Sequence, residues 1–386
     1  MQPAKHLANL PSSYIREILA AATSENCISL AGGLPCANHF PLTHLASTIQ
    51  TLDQDTALFQ YGTTKGYEPL RQHLLERYNV SAEHDLIVTN GSQQGIDLIA
   101  RVFLDQGDEI VMEAPSYLGA IQAFALSQAT IKTVPQTPVG PDLDILESLF
   151  SSGNIKFFYA VPDFHNPTGV CWSLETRQRV GELCHKYHVA LIEDAPYRDI
   201  RFHGEALPLA SSFCPDNALT LTSFSKTAMP GLRLGCVRGP SQWISLLERV
   251  KQATDLHTNL PLQHLLLQLL THPAYPAHLT TLIDVYGSRY RALTDELSSQ
   301  LGEWGRFNAV DGGMFVWFEL NQFNADQLAK SALENGVAVV PASVFYSGEA
   351  NAPAALRLNY SHSTLERLKE AVSRLANVFK LVKVAA

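Results

Sequence analysis

Lys226 stands in Ser223-Phe224-Ser225-Lys226, with Arg233 seven residues on, directly after the apolar run Ala218-Leu219-Thr220-Leu221-Thr222. The run reads as a buried strand, which places the lysine just past a strand's carboxyl end, where open α/β sheets bind ligands. A lone amine there can form a Schiff base with an aldehyde, and Ser223, Ser225 and Arg233 are donors suited to a phosphate. Pyridoxal 5′-phosphate (PLP) is the simplest cofactor that answers both needs. Asp194 closes a second apolar run, Val189-Ala190-Leu191-Ile192-Glu193. A carboxylate in such a place is costly unless a cation meets it. The protonated ring nitrogen of PLP is such a cation, and the pairing keeps the ring an electron sink. Arg357, inside Leu356-Arg357-Leu358, is equally in need of a partner.

The elements that must position these groups alternate between strand and helix. Asp85 to Asn90 reads as a strand that feeds Gly91-Ser92-Gln93-Gln94-Gly95 and a helix carrying Ile96, Leu98, Ile99 and Val102. The free N–H groups of Ser92 and Gln93 and the helix dipole form an anion site, to which either side chain can add a donor. A second unit runs from Asp108 to Met112 and then through Pro115 and Tyr117. Ile155 to Val161 is a buried-strand candidate ending in Pro162-Asp163-Phe164-His165-Asn166-Pro167-Thr168-Gly169, where Asn-Pro makes a rigid turn and His165 reads as a turn residue. The segment from Pro135 to Pro141 is expected as a loop, and Leu143 to Phe150 and Leu174 to Tyr187 as helices. Past a helical stretch from Ser241 to His272, strands at Met314 to Phe318, Val337 to Val340 and Leu356 to Tyr360 and a helix from Thr364 to about Leu381 define a smaller unit. At the other end, Ser12 and Ser13 cap a helix with Ile15, Ile18, Leu19 and Ala22 on one face and Arg16 off it. Gly32-Gly33 then lets the backbone approach something closely.

Taken in order, S-x-A-G-G-L-P from Ser29, Y-G-x-x-x-G-Y from Tyr61, P-x-x-x-N-P-T-G from Pro162, D-x-x-Y from Asp194, S-x-S-K before G-L-R-x-G, and R-L-x-Y-S from Arg357 resemble the motifs of the fold-type I PLP enzymes. This is the aspartate aminotransferase superfamily, class I/II. The likeness runs from Ser12 to the last helix and is strongest to the 2-aminoadipate and kynurenine aminotransferases and to the enzyme-like half of MocR-type regulators. The added winged-helix domain of the latter is not expected, since the motifs begin by Ser12. The resemblance implies an α/β fold: a large PLP-binding domain with a mostly parallel seven-stranded sheet between helices, and a smaller α+β domain. It implies boundaries at 1–45 for an N-terminal arm, 46–275 for the large domain and 276–386 for the small one. It also assigns roles. Tyr117 stacks on the pyridine ring, Asn166 and Tyr197 meet its phenolic oxygen, and Arg357 binds the substrate α-carboxylate beside Gly33 at the mouth. Tyr61 crosses a homodimer interface to the neighbouring cofactor phosphate, and Arg16 meets a distal substrate carboxylate. The implied reaction is transamination between an L-amino acid, acidic or aromatic, and a 2-oxo acid such as 2-oxoglutarate. Decarboxylases, β-lyases and racemases use the same constellation, and a PLP-binding sensor without turnover would also retain it.

With 386 residues the chain exceeds one ordinary core, in keeping with two domains. A net charge of -9 supplies no basic excess for nucleic acid. The six cysteines form no CxxC pair and no ligand-like spacing with histidine, so no metal site or disulfide framework is expected. With no h-region near Met1 and no run of about 18 apolar residues, a cytoplasmic protein without membrane contact is expected.

Overall fold

The computed structural model describes residues 26–347 and 352–385, together with Gln2, Ala4, Leu7 and Ile18. The helix expected from Pro11, with Ser12, Ser13 and Arg16, lies outside the described residues apart from Ile18, which is helical and buried.

Strands that are apolar on both faces must be covered on both faces. Phe157, Tyr159 and Val161 pack to one side with Ile110, Met112, Leu219 and Leu221. The residues between them, Phe158 and Ala160, point the opposite way with Val111 and Ala218. This period of two builds a helix–sheet–helix sandwich. Helices Ser92–Phe103, Leu118–Leu126 and Ser241–Thr254 cover the first face. Helices Leu143–Ser151 and Leu174–Tyr187 cover the second.

In chain order the strands are β1 (Ile28–Ser29), β2 (His84–Thr89), β3 (Glu109–Ala114), β4 (Thr130–Thr137), β5 (Gly140–Pro141), β6 (Ile155–Ala160), β7 (Ala190–Asp194), β8 (Ala218–Ser223), β9 (Gly235–Pro240), β10 (Gly305–Phe307), β11 (Phe315–Leu320), β12 (Val337–Ala338), β13 (Val340–Pro341) and β14 (Ala355–Asn359). The large sheet has the order β2-β9-β8-β7-β6-β3-β4-β5. Seven of these are the strands of the expected mostly parallel sheet, and the eighth, β5, is a two-residue edge. Because β9 is antiparallel to both β2 and β8, the carboxyl ends of β2, β3, β6, β7 and β8 emerge on one side. A second, antiparallel sheet of order β10-β11-β14-β13 packs with helices Tyr275–Leu301, Ala325–Glu334 and Leu365–Ala385 as the smaller C-terminal unit. β1 pairs in parallel with β12, tying the N-terminal arm to that unit.

The loop expected from Pro135 to Pro141 is instead the end of β4, a turn, and β5. Pro135 is tolerated because β4 is bonded along its length only to β3 and meets β5 only at Gln136 and Thr137, so a missing N–H on the open side breaks no ladder. The single strand expected at Val337 to Val340 divides: β12 joins β1, whereas β13 joins β14. The antiparallel β9 has no counterpart in the sequence reading, since Gly235, Gly239 and Pro240 are poor strand formers. Its glycines are there for contact. A Cβ on Gly235 would lie 2.6 Å from the Thr222 carbonyl oxygen, and one on Gly239 the same distance from that of Ala218.

The loop after β6 is fastened from behind by Arg177. This fully buried guanidinium donates to Asp163 (2.7 Å) and to the carbonyls of Pro162, Trp172 and Pro208. Burial alone would raise the Asp163 carboxyl, but Arg177 and then Arg198 hold it below its ordinary value. Arg177→Met, which keeps volume but removes the charge, is expected to destabilise the fold by about 3 kcal/mol, measured as a lower urea midpoint at unchanged slope. A loss under about 0.5 kcal/mol would show that the loop does not depend on this staple.

Candidate active site

Five strand ends and the two sheets converge on one cavity of about 300 Å³. β2 delivers Ser92 and Gln93, β3 delivers Tyr117, and β6 delivers Asn166. β7 ends on Asp194 with Tyr197 beyond it, β8 ends on Ser223 with Ser225, Lys226 and Arg233 following, and β14 brings Arg357 from the small sheet. Gly33 lines the same cavity. Of the residues singled out from sequence, these twelve come together. Tyr61 does not: it is 78% exposed, outside this cavity, edge-on to His257. Arg16 lies outside the described residues.

Asp194 is 2% exposed and holds one hydrogen bond, from the Tyr159 hydroxyl to Oδ2 at 2.8 Å. Its Oδ1 is buried without a partner among the described residues. Burial pushes this carboxyl up to about 7, partly countered by Tyr159. An orphan carboxyl oxygen lining a cavity, its charge disfavoured by burial until a cation meets it, fits the protonated ring nitrogen of PLP. The Lys226 amine donates to the Gly33 carbonyl at 2.7 Å. Burial lowers it to about 8, and the guanidiniums of Arg233 and Arg357 act in the same direction. Arg357 donates to Asn166 Oδ1 (2.8 Å) and to the Ala31 carbonyl, and it lies over the Phe315 and Phe345 rings at 4.4 and 4.9 Å. Its Nε is buried and unpartnered among the described residues, and burial lowers the guanidinium to about 10. Asn166 Nδ2 donates to the Tyr197 hydroxyl at 3.3 Å.

At the opposite end, Gly91 adopts φ +77, and a Cβ there would meet Arg233 Nη2 at 2.9 Å. This bare turn leads into the helix that begins at Ser92, so Ser92 and Gln93, in a first turn whose N–H groups have no intrahelical partner, line the same cavity as Ser225 and Arg233. The expectation for Gln93 is refined: its side chain donates to the Gly119 carbonyl (2.8 Å) and accepts from Tyr117 (3.1 Å). Both polar atoms of its side chain are therefore already engaged. The Tyr117 hydroxyl, anchored by Gln93, is pushed up to about 12 by burial.

Sequence reasoning missed Tyr159 and the lining residues Leu118, Gln122 and Pro230. A tyrosine within Phe157-Phe158-Tyr159-Ala160 needs a hydroxyl partner when buried. Tyr159 is paired in register with Ile192, two residues before Asp194 on the same face.

Fold and site together define a fold-type I PLP enzyme of the aspartate aminotransferase kind. The chain belongs to the family "Aminotransferase class I and II", whose profile matches residues 25–375. A 2-aminoadipate transaminase of Thermus thermophilus is 35% identical over 383 residues, covering 97% of this chain and 96% of its own. Aromatic-amino-acid aminotransferase 1 of Thermococcus litoralis is 34% identical, covering 96% of this chain and 92% of its own. The crystal structure of an alpha-aminoadipate aminotransferase from Thermus thermophilus, complexed with N-(5′-phosphopyridoxyl)-L-leucine, matches with a TM-score of 0.93 at 34% identity, covering 100% of this chain and 98% of that one. The protein is thus a PLP-dependent transaminase. No helix among the described residues is long and apolar enough to cross a membrane.

The Asp194 carboxyl generates a pH test. Titrating near 7 instead of 3.8, it keeps a proton in the cofactor-free fold that the unfolded chain has released. Its contribution therefore lowers stability as pH rises from about 4 to about 7 and is constant above. Asp194→Asn is expected to reduce the fall in Tm of the cofactor-free protein between about pH 5 and about pH 7.5 by several degrees. An unchanged slope would show that this carboxyl is not desolvated.

Proposed function

We propose that this transaminase moves the α-amino group of acidic and aromatic L-amino acids to a 2-oxo acid such as 2-oxoglutarate, as a cytoplasmic homodimer. The observation that carries the reading is Arg357, a buried guanidinium that lines the same cavity as Lys226 and keeps one N–H, at Nε, without a partner among the described residues. A substrate carrying an amine and a carboxylate on one carbon addresses both groups. The activities for which the two relatives are named, on 2-aminoadipate and on aromatic amino acids, support the side-chain classes.

PLP, when bound, supplies an aldehyde for the amino group and a ring that accepts the electron pair left at Cα. Asp194 would hold the ring nitrogen, Asn166 and Tyr197 the ring oxygen, and Tyr117 the ring face. Ser92, Gln93, Ser223, Ser225 and Arg233 would hold the phosphate. Arg357 orients the substrate by its α-carboxylate in a two-pronged grip, with Gly33 at the mouth. The Lys226 amine, brought toward neutrality by burial, then takes up the Cα proton at Nζ.

Exposure of Tyr61 next to Phe59, which is 64% exposed, fits a role across a subunit boundary at the neighbouring phosphate. The six unpaired thiols fit a reducing compartment. Division at residues 45 and 275 fits the start of the long helix at Tyr275 and the pairing of β1 with β12.

Mixing stoichiometric enzyme with a panel of L-amino acids is expected to convert the cofactor from its aldehyde to its amine form with glutamate, 2-aminoadipate and phenylalanine, and 2-oxoglutarate is expected to reverse the change. Lys226→Ala is expected to slow this by at least about a thousandfold, or ~4 kcal/mol. Carbon dioxide release, or no conversion with any amino acid, would overturn the proposal. Arg16→Ala is expected to lower kcat/KM for 2-aminoadipate about tenfold or more while sparing phenylalanine; equal effects on both would remove Arg16 from substrate selection.

A further inference from the structure

A closed ring of buried or half-buried side chains lies outside the cavity, behind Asn166. Glu113, the penultimate residue of β3, is 1% exposed, and its Oε1 accepts from Trp172 Nε1 (3.1 Å) and Gln136 Nε2 (2.9 Å). Gln136 Oε1 accepts from the Thr168 hydroxyl at 2.6 Å, and Thr168 Oγ1 lies 3.1 Å from His165 Nδ1. The ring closes between His165 Nε2 and Glu113 Oε2, 3.7 Å apart. Neither of these two atoms has any other hydrogen-bond partner among the described residues, and both are fully buried.

Counting protons round the ring fixes its state. Thr168 has one hydroxyl proton, which goes to Gln136, so the contact with His165 must be donated by Nδ1–H. The imidazole then presents a bare lone pair at Nε2 to a carboxylate oxygen. Two acceptors facing each other in a dry interior repel, and each forfeits a hydrogen bond. One added proton removes both penalties and lets the atoms close by about 0.8 Å to hydrogen-bond distance. Wherever that proton sits, the pair then carries no net charge.

We propose that Glu113 Oε2 and His165 Nε2 share a single proton, and that this pair acts as a positioning device for Asn166. Burial pushes the carboxyl up to about 7 and the imidazole down to about 3, both of which favour the proton on Glu113. Among the described residues no other ionisable group acts on either. Glu113 otherwise feels only Gln136, Trp172 and the Val161 N–H, and His165 feels only its burial. Transmission to the site is short. The His165 amide donates to the Val170 carbonyl and its carbonyl accepts from Gly169, so a displaced ring must drag the loop. The next residue, Asn166, touches Tyr197 and Arg357. The positioning role rests on the reading that Asn166 holds the cofactor's ring oxygen.

The test uses the PLP-loaded enzyme with ¹⁵N-labelled histidine, the His165 signals being assigned by their loss in His165→Gln. From about pH 5 to about pH 7 His165 is expected to show a protonated Nδ1 and a hydrogen-bonded Nε2, with no titration step near the ordinary 6.5. An Nε2–H tautomer or such a step would overturn the shared proton. Glu113→Gln replaces the proton by an amide N–H and should match or exceed the wild-type Tm at about pH 8, whereas Glu113→Ala should lose about 5 °C. The sign follows from the raised carboxyl: the native protein keeps a proton that the unfolded chain releases above about 4.5, so wild type falls relative to Glu113→Gln as pH rises. Equal damage from both variants would also overturn the proposal. Asn166→Ala is expected to shift the pH at which the bound cofactor's visible absorbance changes, and Glu113→Ala to shift it in the same direction by a smaller amount. No shift in Asn166→Ala would sink the reading of Asn166 and the positioning role, while the histidine spectra decide the shared proton separately. A shift in Asn166→Ala without one in Glu113→Ala would sink the positioning role alone.

Discussion

The site depends on keeping a carboxylate in a dry place. Asp194 ends a buried parallel strand and faces the cavity with one oxygen satisfied by Tyr159 and the other unsatisfied. Such an arrangement is unfavourable until a cation arrives, so the fold stores a preference for a positively charged ring at one point. The neighbouring groups follow from that point. β6 and β8 flank β7 on either side, so their carboxyl ends place Asn166 and Lys226 around Asp194 without any long loop having to be ordered for the purpose.

The small sheet supplies what the large one cannot. Parallel strand ends offer amide groups and short side chains suited to the cofactor, but substrate recognition needs a cation facing them from above. Arg357, on β14 of the antiparallel sheet and held over the Phe315 and Phe345 rings, is the cation proposed for that task. Aromatic faces favour its charge in a place where burial opposes it. Asn166 contacts both Arg357 and Tyr197, so one amide links the small sheet to the turn that follows Asp194.

Short local motifs were legible because their residues are neighbours in the chain. Ser223, Ser225 and Lys226, or Asn166 and its proline, declare their chemistry within a few positions. Pairings between distant strands were not. Tyr159 and Asp194 stand 35 residues apart, and the tautomer of His165 emerges only when a ring of hydrogen bonds through β3, β4 and the loop after β6 is traced to closure. His165 accordingly reads as an ordinary turn residue in one dimension. β9 was hidden for another reason: its glycines admit neighbouring carbonyls closely, and that need outweighs strand propensity. The edge at Pro135 and the split at Val339 likewise depend on which strand lies alongside, which composition does not record.

The hydrogen bond from Lys226 to the Gly33 carbonyl has a consequence for how the two halves of the molecule respond to loading. Gly33 follows Leu30, whose amide and carbonyl are clasped by Ala338 and Asn359 of the small unit. While its amine is free, this side chain adds one tie between that edge and the large sheet, beside those between Asn166 and Arg357 and between Ser116 and Phe345. Once the nitrogen is committed elsewhere that one tie is given up, and the Gly33 carbonyl at the rim is left open to another donor.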